Sequence, residues 1–335
     1  MPPSVSVIVP CYNEEGTIYQ LLEALHLQSY PLESLEVVVA DGLSEDGTLD
    51  RIESFRADHP DLKVQVVSNA SRTIPSALNC AIRSSQGEII VRMDAHSRPY
   101  PEYVSRCVGA LQAGLGANVG GLWKIVPGSE TWVARSIAAA AAHPLGVGDA
   151  RYRIGAQASE VDTVPFGAFR KELVNEIGMF DEKLLTNEDY EFNARVRLSG
   201  RKIWLDPEIL SMYMARTTYL ELARQYWRYG FWKFRMLRRY PGTLRWRQAL
   251  PPLLVLSLLG SLILVWVPVA RLVLALEVCL YLSVLLVAGL DTAFRGRDAA
   301  FLLGVPVAIG TMHLAWGAGF LWSVIACGSG SGTHG

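Results

Sequence analysis

Beyond Gln248 the chain carries three long, nearly uncharged runs in succession, and a polypeptide with that feature cannot be a water-soluble domain throughout. Ala249–Pro268 holds no charged residue, Leu272–Leu290 holds only Glu277, and Ala299–Cys327 holds only His313 as an ionisable group. Each is long enough to cross a bilayer, which takes about 20 residues of helix. Buried helices of a soluble domain would explain one such run; three in a row predict three transmembrane helices. Basic residues set their orientation. Lys233, Arg235, Arg238, Arg239, Arg245 and Arg247 precede the first run, and Arg295 and Arg297 separate the second from the third. Only Arg271 occupies the other turn. Cytoplasmic flanks collect Lys and Arg, so the expected topology is multi-pass, with residues 1–248 in the cytoplasm and the C-terminus outside.

The region ahead of these runs mixes charge with short apolar stretches, as a soluble α/β domain does. Val5–Val9, Leu35–Ala40, Lys63–Val67 and Glu88–Met93 read as strands. Between them, Glu14–Gln28, Asp46–Phe55 and Pro75–Ser84 show helical spacing, the first through Ile18, Leu21, Leu22 and Leu25. Apolar strands alternating with amphipathic helices predict a mostly parallel sheet covered on both faces. Ligands bind such sheets beyond the carboxyl ends of the strands. The loops after Val9, Ala40 and Met93 are therefore where chemistry is expected. The catalytic domain is placed at residues 1–216, and residues 217–248, basic and aromatic, are expected to form an amphipathic helix at the membrane surface. The glycine–serine stretch within 328–335 reads as an appended tail.

Other features exclude more than they assign. The five cysteines, at 11, 80, 107, 279 and 327, show no Cys-x-x-Cys pair, so neither a zinc ribbon nor a disulfide framework is expected. The first ten residues have no basic region of a signal peptide. A net charge of −1 gives no reason to expect a nucleic-acid partner. His26 and His143 have no sequence neighbours that suggest a site.

Acidic residues gather where the strands end. Asp41 opens the loop Asp41-Gly42-Leu43-Ser44-Glu45-Asp46-Gly47-Thr48, which suits either a nucleotide contact or an Asp/Gly turn. Asp94 and His96 leave the fourth strand on alternate positions, so both can face one ligand. A divalent ion held there would neutralise a diphosphate leaving group. Further on, Glu188-Asp189 offers either a base for an attacking hydroxyl or an acidic helix N-terminus. Gln225 and Arg228 are helical neighbours three apart on the basic, aromatic stretch.

Taken together these motifs resemble the inverting family 2 glycosyltransferases of GT-A fold. Pro10-Cys11-Tyr12-Asn13-Glu14-Glu15 resembles the family's opening P-x-Y-N-E, and Asp41–Thr48 its nucleotide-binding loop. Asp94-Ala95-His96 resembles the D-x-D metal motif, Glu188-Asp189 the E-D motif, and Gln225–Tyr229 the Q-x-x-R-W element of membrane-embedded synthases. Segments around Gly146–Arg153 and Val161–Arg170 are similar to the succinoglycan-biosynthesis ExoA-like subgroup. Three departures are visible: Gly42 replaces the second Asp of the nucleotide loop, His96 the second acid of D-x-D, and Tyr229 the Trp of Q-x-x-R-W.

The resemblance implies that Pro10, Tyr12, Asn13, Glu14, Asp41, Arg72, Asp94 and Arg228 bind the donor, with Asp94 and His96 holding Mn²⁺ or Mg²⁺. It implies that Asp189, beside Glu188, is the general base, and that Phe166, Gly167, Gln225 and Tyr229 meet the acceptor. The implied reaction is inverting transfer of a sugar, expected to be glucose from UDP-glucose, to a polyprenyl-diphosphate-linked saccharide. The setting implied is exopolysaccharide assembly at a bacterial inner membrane, with membrane lipid as a partner and an oligomer left open. A polyprenyl-phosphate glycosyltransferase, a processive polysaccharide synthase and a non-enzymatic sugar-nucleotide-binding scaffold are the alternatives.

Overall fold

A computed structural model of the chain describes residues 2–328. They form two compact units, residues 2–124 with 155–213, and residues 125–154 with 214–328.

The first unit begins with the alternation expected. Strands β1 (Val5–Cys11), β2 (Leu35–Asp41), β3 (Lys63–Ser68) and β4 (Ile89–Arg92) are separated by helices α1 (Ile18–His26), α2 (Thr48–Asp58) and α3 (Ile74–Ser84). All pairings among these strands are parallel, with β1 central: Val7 lies opposite both Val37 and Val91. Such a strand is covered on both faces, which is why β1, β2 and β4 read as unbroken Val/Ile runs. Helix α1 buries Ile18, Leu21, Leu22 and Leu25, one stripe at helical spacing.

After β4 the sheet changes character. Strand β5 (Ser97–Pro99), helix α4 (Tyr103–Gln112) and strands β6 (Asn118–Pro127), β7 (Ser159–Glu160), β8 (Ala168–Arg170) and β9 (Ile203–Ala215) complete it. The order among the described residues is β3-β2-β1-β4-β8-β6-β9-β5, with β7 on β9. Strand β8 runs antiparallel to both β4 and β6, so the parallel half expected from the sequence is extended by an antiparallel half. The core lies between the helices and this sheet, from Val5 to Ile209.

The second unit is helical. It contains α5 (Trp132–Ala141) and the short α6 (Pro144–Val147) and α7 (Arg151–Ile154). Two helices of the first unit, α8 (Leu173–Ile177) and α9 (Glu188–Leu198), intervene along the chain. Then follow α10 (Tyr219–Arg239), α11 (Trp246–Ile263), α12 (Pro268–Gly296) and α13 (Phe301–Gly328). The last three are long and apolar enough to cross a membrane. Their limits differ from the uncharged runs for local reasons. Helix α11 starts three residues before Ala249, and α12 starts on Pro268, whose fixed φ suits a first turn. Helix α12 continues past Leu290 because an Asp291–Arg295 pair four residues apart (2.9 Å) supports another turn. Residues 125–154 were expected inside the catalytic domain. They cluster instead with the helices, because the apolar face of α5, with Ala134, Ile137 and Ala138, packs on α13. The tail from 329 lies outside the described residues.

Helix α10 shows the expected amphipathic stripe, burying Leu222, Tyr226, Gly230, Lys233 and Met236. It lies along α13 at backbone contact: a Cβ on Gly230 would meet the Trp316 carbonyl, and one on Gly319 the Trp227 carbonyl. Small residues are what allow such close approach between helices in lipid. The two ionisable residues inside the apolar runs have partners. Glu277 accepts a hydrogen bond from the Ser257 hydroxyl (3.0 Å), joining α12 to α11. His313 donates from Nε2 to the Leu145 carbonyl (2.9 Å), which leaves Nδ1 to accept from the Tyr281 hydroxyl (3.0 Å).

Candidate active site

The carboxyl ends of β1, β2 and β4 lie side by side in the parallel half of the sheet, and their loops interlock. The Asn13 amide donates to the Ser44 hydroxyl (2.9 Å) while the Asn13 side chain accepts from the Glu45 amide (2.9 Å). The Glu14 amide donates to Thr48 Oγ1 (2.8 Å), and the Glu15 amide to Asp46 (3.2 Å). Asn13 takes a left-handed backbone (φ 53°), a conformation Asn tolerates better than most residues. The motif after β1 and the motif after β2 are thus one structure, closed by hydrogen bonds between segments about 30 residues apart.

Asp41 serves that structure. It is 4% exposed, and its two oxygens accept from the Ser44 amide (3.1 Å) and hydroxyl (2.6 Å). The turn reading therefore describes its present bonding, and a nucleotide would meet a loop that Asp41 has shaped. Gly42 has a steric reason: a Cβ there would stand 3.2 Å from two carbons of Tyr12. Tyr12 is 43% exposed, and the Arg72 guanidinium lies over its ring at 5.6 Å while pairing with Glu45 (3.1 Å). These two side chains form a flat, cationic platform at the end of β1, suited to stacking and phosphate contact. Pro10 remains within β1 and serves the backbone path.

The loop after β4 carries the candidate metal ligands. Asp94 is partly exposed and accepts a charged hydrogen bond from Arg92 (3.1 Å). His96 turns Nδ1 toward Glu14 Oε1 (3.0 Å), and Glu14 also accepts from the Thr17 hydroxyl. A carboxylate on one imidazole nitrogen fixes the ring, as in carboxylate–histidine–metal arrangements. One carboxylate and one imidazole, with Glu14 behind the imidazole, fit Mn²⁺, and the imidazole makes Mg²⁺ the poorer match. Glu14, expected at the donor, is bonded here to His96 and Thr17.

Helix α9 brings in the acid pair. Asn187, left-handed at φ 66°, turns the chain into the helix, and Glu188 and Asp189 occupy its first turn. Their positions differ sharply. Glu188 is buried and paired with Arg92 at 2.8 Å, and burial, only partly offset by that cation, pushes its carboxyl up to about 7. Asp189 is half-buried, with one carboxylate oxygen held by the Tyr190 amide (2.7 Å). Of the two, Asp189 is the more exposed.

Arg92 was missed in the motifs, yet it organises them. Its guanidinium is buried and bridges Asp94 and Glu188, so one cation ties the end of β4 to the start of α9. The signal was present: a lone Arg closes the apolar strand Ile89-Ile90-Val91, and a charge there is buried only when paired.

The residues expected at the acceptor separate. Phe166 is buried, 5.4 Å from Trp123 in a cluster where Trp123 also stacks on Tyr213 at 4.2 Å. Gly167 packs against Asn118, and its carbonyl accepts from the Arg92 amide (3.1 Å). Buried in this way, neither offers surface to an acceptor; the pair holds β8 beside β4. In the second unit, Gln225 donates to the Tyr229 hydroxyl (2.8 Å), a partner four residues on, and Arg228 is exposed on α10. Cys11 and Cys107 are buried, and burial raises both thiols, which keeps them protonated; Cys279 is exposed.

A parallel nucleotide-type sheet, interlocked acidic loops at its carboxyl edge and an acid pair joined to them by a buried arginine define a GT-A glycosyltransferase. The family description "Glycosyl transferase family 2" matches residues 6–178, just over half of the chain, and the chain belongs to that family. It is 29% identical over 319 residues to the succinoglycan biosynthesis protein ExoA of Rhizobium meliloti, covering 94% of this chain and 93% of that one. It is 25% identical over 331 residues to a dolichyl N-acetyl-α-D-glucosaminyl phosphate 3-β-D-2,3-diacetamido-2,3-dideoxy-β-D-glucuronosyltransferase of Methanococcus voltae, covering 96% and 97% of the two chains. The mannosyltransferase PcManGT of Pyrobaculum calidifontis, solved with GDP-Man and Mn²⁺, shares the fold with a TM-score of 0.62 at 20% identity, covering 97% of this chain and 88% of its own.

Proposed function

We propose that the protein transfers a sugar, with inversion, from a nucleotide-sugar donor to a lipid-linked saccharide during polysaccharide assembly. The observation that carries this reading is the Arg92 bridge, which ties the candidate metal carboxylate Asp94 to the acid pair that contains the base. Both relatives that cover nearly the whole chain support the setting: one is named for succinoglycan biosynthesis, the other for transfer to a dolichyl-phosphate sugar.

In this reading Tyr12 and Arg72 hold the nucleotide, over the loop that Asp41 and Asn13 shape. Asp94 and His96 hold a divalent ion, Mn²⁺ before Mg²⁺, which when bound screens the charge of the leaving diphosphate. Asp189 accepts the proton of the acceptor hydroxyl as its oxygen attacks the anomeric carbon from the face opposite the nucleotide. One displacement inverts the centre, so no enzyme nucleophile is needed, in contrast to a retaining enzyme that passes through a covalent glycosyl intermediate. Glu188, buried against Arg92, keeps that arginine in place and is a positioning residue. On the resemblance to the Q-x-x-R-W element alone, Arg228 is the proposed cation for the diphosphate, and Gln225 and Tyr229 are the proposed acceptor contacts. The donor proposed is UDP-glucose, on the likeness to the ExoA-like subgroup.

The test is a screen of UDP- and GDP-sugars with the purified protein in detergent, with Mn²⁺ or Mg²⁺ and a polyprenyl-diphosphate saccharide. Transfer of a single glucose from UDP-glucose is expected. Transfer only to polyprenyl phosphate, or formation of a polymer, would replace the proposed reading by one of the two enzymatic alternatives. Sugar binding without turnover on any acceptor would leave the binding scaffold.

A further inference from the structure

At the carboxyl ends of the first two helices, three side chains converge that no donor or acceptor motif uses. His26 is the last residue of α1, His59 follows α2, and Asp61 lies in the turn before β3. One ligand atom from each lies within 4.8 Å of those of the other two. His26 Nε2 stands 3.0 and 3.1 Å from the two carboxylate oxygens of Asp61, and the two imidazole rings are 4.4 Å apart. Fully buried Phe55 backs both rings, at 4.7 Å from His59 and, edge-on, 6.4 Å from His26. Along the chain His26 has no neighbours that suggest a site; the fold gives it two, from positions more than 30 residues away.

Helices α1 and α2 run back from the carboxyl ends of the strands. The cluster therefore lies at the amino ends of β2 and β3, on the edge of the sheet opposite Asp41 and Asp94. It is not part of the donor site.

We propose that His26, His59 and Asp61 form a second metal site, selective for a divalent ion of the zinc class. Two imidazoles and one carboxylate suit Zn²⁺ and its transition-metal neighbours, whereas Mg²⁺ and Ca²⁺ take oxygen ligands. Ligands about 2.0–2.1 Å from a tetrahedral ion stand roughly 3.3 Å from one another. Closing from the present spread takes a small turn of the side chains. Both imidazoles sit where a helix ends, and the carbonyl ends of helices favour a cation. An ion pair between His26 and Asp61 would need only those two; His59, set against His26 by the same phenylalanine, is the third donor that such a pair does not require. A nearby carboxylate, Asp58, is engaged by the Tyr19 hydroxyl at 3.1 Å. Three protein ligands leave the fourth position of a tetrahedral ion to water. Bound there, the ion would tie α1, α2 and the entry to β3 together, so its role is to stabilise the parallel half of the sheet.

The experiment uses the full-length protein in detergent, stripped with chelator, dialysed against micromolar Zn²⁺ and assayed for bound metal. Zinc binding is read in the Asp94→Ala background, which removes the donor-site carboxylate, with and without His26→Ala/His59→Ala. Zinc retained by Asp94→Ala and lost when the histidine pair is also replaced is expected. In Asp94→Ala, zinc at a hundredfold excess over its Kd should raise the unfolding temperature by about 5–10 °C, and with the histidine pair replaced as well it should not. Asp61→Asn in the same background, which keeps the shape of the turn, should weaken zinc retention in the same direction and guards against a misfolded histidine variant. Equal zinc with and without the cluster substitutions in that background, or no zinc bound by Asp94→Ala, would overturn the proposal. Sugar transfer with Mn²⁺ should proceed at the parental rate in His26→Ala/His59→Ala with Asp94 intact, so failure here and failure of the proposed transfer are separate results.

Discussion

The two units bury their surfaces by different means. In the first, β-branched strands and flanking helices close a core in which Val7, Val37, Val39 and Val91 are inaccessible, and charged groups inside it are paired, Arg92 with Glu188 and Glu191 with Arg195. In the second, helices meet through glycines such as Gly230 and Gly319, while large apolar residues such as Leu262 of α11 (57% exposed) and Leu280 of α12 (68%) face outward. A water-soluble surface rarely carries so much contiguous apolar area, so those faces of α11 and α12 belong in lipid. The candidate metal ligands and the acid pair lie in the unit built from strands, and the three membrane-length helices in the other. Chemistry and membrane association should therefore respond to different mutations.

The largest effect should come from the candidate metal pair. Excess EDTA, or Asp94→Ala, is expected to abolish transfer while the protein stays folded and membrane-bound, read by activity, circular dichroism and flotation with vesicles. Full turnover in EDTA would break the division at its catalytic end. Next is Asp189→Asn, expected to lose roughly 10²–10⁴-fold in turnover, the usual loss for a positioned base. Its nucleotide affinity by calorimetry should be unchanged. A variant that keeps more than about a tenth of the rate would move the base elsewhere.

The second unit should show the complementary pattern. Gly319→Val sets a branched side chain against the Trp227 carbonyl and should cost about 1–3 kcal/mol, as overpacking does. Thermal unfolding in detergent should show the loss, while Mn²⁺ binding through Asp94 stays at the parental value. If Mn²⁺ binding fell in step, the units would not be separable. The smallest effect concerns Glu188, whose carboxyl burial raises to about 7 from an ordinary value near 4.5. Between those values the folded protein keeps a proton that the unfolded chain has released. Its contribution is thus complete below the lower value and is lost as pH rises toward the upper. Glu188→Gln should flatten the fall in unfolding temperature between about pH 5 and 7, and an unchanged slope would assign that fall to another group.

Much of this was written in short-range patterns. The Val/Ile runs of β1, β2 and β4, the stripe of α1 and the three uncharged runs are each set by period and composition, so the sequence alone determined a parallel half-sheet followed by membrane-length helices. Asp94 and His96 could be placed after a strand, and Glu188-Asp189 at a helix start, because strand ends and helix starts are local events. Tertiary structure decided the rest, since those outcomes depend on pairs far apart along the chain. No spacing rule links Arg92 to Glu188, 96 residues away, or His96 to Glu14, 82 residues away. The same holds for Phe166, which looked like an acceptor contact and became core once β8 lay between β4 and β6. It holds too for residues 125–154, whose helix α5 found its partner in α13. A side chain's type limits what it can bind, but only packing decides which partner arrives, and whether burial leaves it reactive or makes it part of the frame.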